Sequence, residues 1–196
     1  MQAETLSGGF KDPATQAAQA FRKVMEALAR PGMIQHVSGA VPPAPLSPAA
    51  GTVLLTLCDT DTPVHLVGAT DCAALRDWLA FHTGAPIVAA KDCMFAVGTW
   101  EALAPLSSYT IGTSQYPDRS ATLIVECPNI VSTGATLSGP GIKDQATLSL
   151  PETAAFQANQ ALFPLGLDFI FTSEDRLAAL PRSTKVSAPL GVAEVH

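Results

Sequence analysis

Charge is what this sequence of 196 residues has least of: Asp, Glu, Lys and Arg together make up 14%, against about 25% in ordinary soluble domains. Lys and Arg number 11, form no basic stripe and are outnumbered by 17 acids, giving a net charge of −6. That excludes nucleic-acid binding through an electrostatic footprint. Long apolar runs are missing too. The best, Val53 to Cys58 (VLLTLC), falls far short of the roughly 18 residues that span a bilayer, so no membrane helix is expected. The first ten residues, MQAETLSGGF, contain an acid, no early Lys or Arg and no apolar stretch; no signal peptide is expected. Cysteines stand only at 58, 72, 93 and 127, without a CxxC pair. They read as buried thiols in a reducing cytoplasm. No GxxxxGK[ST], GxSxG, HExxH or DxDxDG occurs, and His36, His65, His82 and His196 lack ligand spacing. No P-loop, nucleophile elbow or metal site is therefore expected.

What is present is apolar bulk. Hydrophobic residues reach 47% and mean hydropathy is +0.26. A chain of this length buries roughly 70% of its unfolded surface and needs no staple. With so few charges, part of the remaining surface is expected to be covered by another subunit.

Asp12-Pro13 is a cap followed by a first-turn proline. Phe21, Val24, Met25 and Leu28 then predict one apolar helical stripe, ended by Arg30-Pro31-Gly32. Met33 to Val37 reads as a short strand. VPPAPLSP (41–48) has four prolines in eight residues and reads as an extended loop. Ser47-Pro48 predicts a helix through Leu57. A strand over Pro63 to Val67, a helix from Asp71 to His82 and a strand over Cys93 to Val97 follow. The polar stretch 107–120 is a functional-loop candidate. Ala121 to Glu126 (ATLIVE) is the most strand-like run. Further strands are expected at 135–138, 146–150 and Leu167 to Thr172, with a helix near 152–162. Alternating strands and helices argue an α/β sheet covered by helices. The hairpin-like stretch 121–150 suggests a mixed sheet. One domain over 1–196 is expected, with 1–9 and 188–196 as flexible ends.

Singly, the chemical candidates have two readings each. Gly139-Pro140-Gly141 either presents backbone N–H groups to an anion or makes a tight turn. Arg22 either snorkels or grips an anion. His82 either packs at a helix end or handles a proton. Asp59 and Asp61 either pair for acid–base work or cap a turn. Arg119, in YPDR, is solvated or functional. Arg182 grips an anion with Ser183 and Thr184, or caps the last strand.

Seven segments in one order resemble the PhnH family, subunits of the bacterial carbon–phosphorus lyase machinery for phosphonate use. They are FRKVMEALARPG (21–32), VLLTLCDTDTPVHL (53–66), WLAFHTGAPIV (78–88), YPDRSATLIVE (116–126), LSGPGI (137–142), FPLGLDFIFT (163–172) and LPRSTKV (180–186). The resemblance runs from about Phe10 to Val186. It implies a three-layer α/β sandwich with a mixed central sheet, similar to the large domain of pyridoxal-phosphate transferases but without that cofactor. It implies a cytoplasmic homodimer that joins PhnG, PhnI and PhnJ. With PhnG and PhnI, such a subunit serves a transferase reaction in organophosphonate catabolism. Methylphosphonate displaces adenine from MgATP at the ribose anomeric carbon, forming α-D-ribose 1-methylphosphonate 5-triphosphate. Carried over residue by residue, the resemblance makes Arg22, Arg119 and Arg182 anion contacts. Gly139 and Gly141 become backbone donors, and His82 or Asp61 the proton-handling group. No metal ligand and no directly bound cofactor are implied. Because eleven scattered cations cannot hold a triphosphate and a phosphonate alone, a site completed by another subunit is expected. The alternative is a non-catalytic assembly subunit.

Overall fold

A computed structural model describes residues 7–189. In chain order the elements are α1 (Pro13–Ala29), β1 (Gln35–His36), α2 (Pro48–Leu57), β2 (Val64–Leu66), α3 (Ala73–Thr83), β3 (Phe95–Thr99) and α4 (Trp100–Leu103). There follow β4 (Thr122–Glu126), β5 (Ala135–Ser138), β6 (Ala146–Leu148), α5 (Thr153–Gln160), β7 (Asp168–Ser173), β8 (Arg176–Leu180) and β9 (Lys185–Ser187). Both cap signals work as read. Asp12 accepts from the Thr15 N–H at 3.4 Å and Ser47 Oγ from the Ala50 N–H at 3.1 Å, each ahead of a first-turn proline.

Six strands form one mixed sheet in the order β1-β8-β7-β4-β3-β2. β2, β3, β4 and β7 run parallel, with Ile124 beside Ile170 and Val97 beside Ile124. β8 turns back antiparallel on β7, and β1 pairs antiparallel with β8. The central strands are buried on both faces, which is why they read as unbroken apolar runs. Alternate residues serve different cores. Val97, Ile124 and Ile170 face Val24, Leu54 and Trp78 of α1, α2 and α3. Leu123, Val125, Phe169 and Phe171 face Leu103 of α4, Phe156 of α5 and Leu137 of β5. On that second side β6, β5 and β9 form their own antiparallel sheet.

The sheet is mixed, as residues 121–150 suggest, but that stretch is not what makes it so. The antiparallel edge comes from β8 and β1, whereas β5 and β6 belong to the smaller sheet. β8 and β9 were not foreseen. The apolar stripe of α1 is split between core and surface. Ala20, Val24 and Ala27 are its buried residues, while Phe21 and Met25 are each 47% exposed. Small residues let α1 lie close against α2 and β8; large ones there would hold it away. Of the expected flexible ends, residues 1–6 and 190–196 lie outside the described residues. Ser7 to Gly9 are pinned. The Ser7 carbonyl accepts from Trp78 Nε1 at 2.9 Å and the Gly8 carbonyl from the Val41 N–H at 2.8 Å. Among the described residues, no helix is long and apolar enough to cross a membrane.

Candidate functional site

α1 borders a groove of about 820 Å³ whose walls include Phe21, Arg22, Met25, Arg30, His36 and Val37. A second groove of about 480 Å³ begins at Arg30 and continues past Gly141 to Lys143. Arg22, Lys23, Arg30 and Lys143 therefore border two adjoining grooves that share Arg30. The cations expected to be unclustered are in part gathered by the fold. None of the three ion pairs among the described residues uses them. Two other charged features temper the basic character. Glu26 accepts from Gln35 Nε2 at 3.1 Å. His36 Nδ1 lies 3.0 Å from Asp175 Oδ2, and that hydrogen bond holds the Asp175 carboxyl below its ordinary range. The grooves offer cations and apolar surface for binding, with no nucleophile paired to a base.

The residues singled out from sequence fall into three separate regions. Arg22 and Gly141 belong to the α1 side, while Gly139, at the other end of the same turn, packs against Ser183 to Lys185, just beyond Arg182. The Ile142 N–H donates to the Gly139 carbonyl at 3.1 Å, closing the turn. Gly141 has φ +80°, the conformation that a Pro-Gly type II turn requires at its third residue. A Cβ there would sit 1.9 Å from the Ala29 carbonyl oxygen at the end of α1. Packing alone accounts for this glycine.

Asp61 and His82 lie at the β2 edge, where Thr60 stands against Gly84 at the end of α3. Asp61 is exposed, and its N–H donates to Asp59 Oδ1 at 2.9 Å. That oxygen also accepts from Thr62 Oγ1 at 2.6 Å. These two bonds, Thr62 first, lower the Asp59 pKa, and the pair makes a turn before Pro63. His82 packs 5.0 Å from both the Trp78 and Phe81 rings, beneath Gly9. Its Nε2 is buried and has no hydrogen-bond partner among the described residues.

Arg119 and Arg182 meet at the amino-terminal edge of the parallel strands. Arg119 is exposed and stacks 4.2 Å above the Tyr116 ring. The Arg182 side chain is 13% exposed and paired with Asp168. Its backbone N–H also donates to Asp168 Oδ1 at 2.8 Å. Arg182 Nη1 donates to the Pro117 carbonyl at 2.6 Å, and Nη2 reaches Ser120 Oγ and Asp168 Oδ2. The guanidinium thus ties the 107–120 loop to the start of β7.

Sequence reasoning passed over Asp168 and Glu126. Glu126 ends β4 at the carboxyl edge of the parallel strands, the edge where open α/β sheets bind ligands. Its Oε1 accepts from the Ser47 N–H at 2.7 Å, and burial pushes its pKa up. An acid closing the most strand-like run in the chain was the available signal. Burial likewise pushes Cys58 and Cys127 up to about 12 and Cys93 to about 11, so these thiols stay protonated and unreactive at neutral pH. Lys185, in β9, is exposed.

A mixed six-stranded sheet with helices and two cation-bordered grooves beside α1 together define an α/β protein. The chain belongs to the PhnH family: residues 8–187 match the family described as "Bacterial phosphonate metabolism protein (PhnH)". It is similar to "Alpha-D-ribose 1-methylphosphonate 5-triphosphate synthase subunit PhnH" of Rhizobium meliloti (strain 1021), 40% identical over 196 residues, covering 94% of this chain and 97% of the relative. It is also similar to "Putative C-P lyase subunit protein HtxG" of Stutzerimonas stutzeri, 26% identical over 179 residues, covering 86% and 84% of the two chains.

Proposed function

We propose that this chain is a subunit of an α-D-ribose 1-methylphosphonate 5-triphosphate synthase in phosphonate catabolism, and that its partners complete the reaction site. The observation that carries this is the Rhizobium relative named for that enzyme, 40% identical and covered over 97% of its length. In the reaction a phosphonate oxygen attacks C1′ of the ribose of MgATP. The C1′–N9 bond breaks, the C1′–O bond forms, and adenine leaves as it takes up a proton. Such a step asks for several cationic or N–H donors around the triphosphate and phosphonate, and an acid beside the purine.

The grooves of α1 supply a share of that charge through Arg22, Lys23, Arg30 and Lys143. In our reading Arg22 and Arg119 contact anions, and the Gly139–Gly141 turn shapes the rim beside them. Arg182 acts by positioning the Arg119 loop. His82 or Asp61 handles a proton at a joint site. MgATP enters as substrate, and the chain holds no cofactor of its own. It works in the cytoplasm as a homodimer assembled with PhnG, PhnI and PhnJ, on a fold of the pyridoxal-phosphate transferase large-domain kind.

A non-catalytic assembly role is favoured by one observation, the consumption of Arg182 by Asp168, Pro117 and Ser120. Reconstitution separates the two. Adenine release from MgATP on adding methylphosphonate is expected to require this chain. Equal release without it would overturn the proposal. Loss of activity in Arg22→Ala with assembly intact would favour direct contact, and loss only in step with assembly the framework role.

A further inference from the structure

The smaller groove differs in composition from the larger one. It receives one cation from each of two segments, Arg30 where the chain leaves α1 and Lys143 in the loop joining β5 to β6. Among the described residues that line it there is no Asp or Glu, whereas Glu26 walls the larger groove. Asp144, next to Lys143, is exposed and outside that lining. Met33, Ile34 and Ile142 add half-buried apolar surface, and Ile34 and Ile142 pack on the core that holds Leu137 and Leu148.

The two segments are pinned to each other at two points. Gly32 has φ +91° and lies so near β6 that an added Cβ would stand 2.7 Å from the Ala146 Cβ, and Gly141 closes on the Ala29 carbonyl. The Met33 N–H donates to the Arg30 carbonyl at 3.1 Å, and the Ile142 N–H to the Gly139 carbonyl at 3.1 Å. The turns that carry both cations are therefore closed before a ligand arrives, which lowers the cost of ordering them on binding.

We infer that this groove is the phosphonate subsite. Arg30 and Lys143 grip the phosphonyl oxygens, and the carbon substituent lies on Met33, Ile34 and Ile142. The inference rests on the proposed reaction and deepens it by placing one substrate. An organophosphonate joins an anionic head directly to carbon, so its site needs cations and apolar surface side by side, with no carboxylate to repel it. Inorganic phosphate has nothing to lay on the apolar wall. A triphosphate carries more charge than two cations balance and leaves that wall in water. At about 480 Å³ the groove holds more than a methyl group, so longer substituents fit. Arg30, common to both grooves, keeps the phosphonate head next to the remaining cations.

The test is phosphonate-dependent adenine release by the complex reconstituted with this chain, with calorimetric titration of the same complex as a second readout. Methyl-, ethyl- and propylphosphonate should show KM and Kd falling about threefold with each added methylene. Inorganic phosphate should compete at least tenfold less tightly than propylphosphonate binds. Lys143→Gln should raise the phosphonate KM at least tenfold while kcat and the MgATP KM stay within twofold. Arg30→Gln, expected to raise the phosphonate KM to the same extent, decides the point should the first variant assemble poorly. Ile142→Ser should abolish the chain-length trend and keep the methylphosphonate KM, and Lys91→Gln, at an exposed lysine of another segment, should change nothing. An unchanged phosphonate KM in both cation variants, a rise confined to the MgATP KM, or equal affinity for all three phosphonates would overturn the subsite and leave the subunit reading standing. Adenine release that persists without this chain would overturn the subunit reading itself.

Discussion

Arg22 and Arg182 are both arginines in conspicuous segments, yet they sit in opposite surroundings. At the amino-terminal edge of the sheet, Arg182 is 13% exposed at its side chain and spends its donors on Asp168, Pro117 and Ser120. Along α1, Arg22 is exposed, enters none of the ion pairs among the described residues, and stands beside two half-exposed apolar side chains. A guanidinium whose lone partners are internal stabilises the fold; one left with open donors beside an apolar ridge is available to something else. Residue type does not separate these roles. The supply of nearby acceptors does.

The largest expected effect is at the clamp. Arg182→Ala leaves a carboxylate with 23% side-chain exposure unpaired, at a cost of roughly 3 kcal/mol for a mostly buried pair; urea unfolding should show it as a lower midpoint. An unchanged midpoint would erase the contrast between the two regions. Gly141→Ala comes next. The added Cβ would lie 1.9 Å from the Ala29 carbonyl in a positive-φ residue, and backbone incompatibility of this kind costs more than about 1 kcal/mol, again read by urea.

Glu126→Gln should act with the opposite sign. Burial raises the carboxyl pKa in the fold above its ordinary 4.5, so folding is opposed as pH climbs from the ordinary value through the raised one. The amide carries no charge and still accepts from Ser47. Its melting midpoint should therefore exceed the wild type's at pH 7 and approach it near pH 4. An advantage that persists unchanged at low pH would contradict the burial argument. Arg22→Ala closes the series with a change within about 0.5 kcal/mol, the usual range for an exposed site. A larger loss in the isolated chain would show that α1 depends on that side chain.

Much of the architecture is legible along the chain. Asp12-Pro13 and Ser47-Pro48 announce α1 and α2 because capping is satisfied within four residues. ATLIVE announces β4 because both faces of a central strand are buried. β8, RLAAL, was missed for the complementary reason: five residues of short apolar sequence show no period that separates strand from helix. The orientation of α1 was not legible, because a hydrophobic stripe measures affinity for any apolar neighbour, and Phe21 and Met25 face outward. At the candidate site, the cation cluster escaped notice because Lys143 lies far along the chain and reaches the groove system only when the Gly139–Ile142 turn packs on the end of α1.

Local capping, the alternation of strands and helices, the scarcity of charge and the family likeness were all determined by the sequence alone, because each depends on neighbours a few positions away or on composition. Tertiary structure decided which charges remain available. The antiparallel register that sets Phe169 beside Leu180 brings Asp168 within reach of Arg182 and consumes it. The close seat of α1 on its small residues turns Phe21, Met25 and Arg22 outward together. Both outcomes depend on strand register and helix approach, which arise only when distant segments share one core.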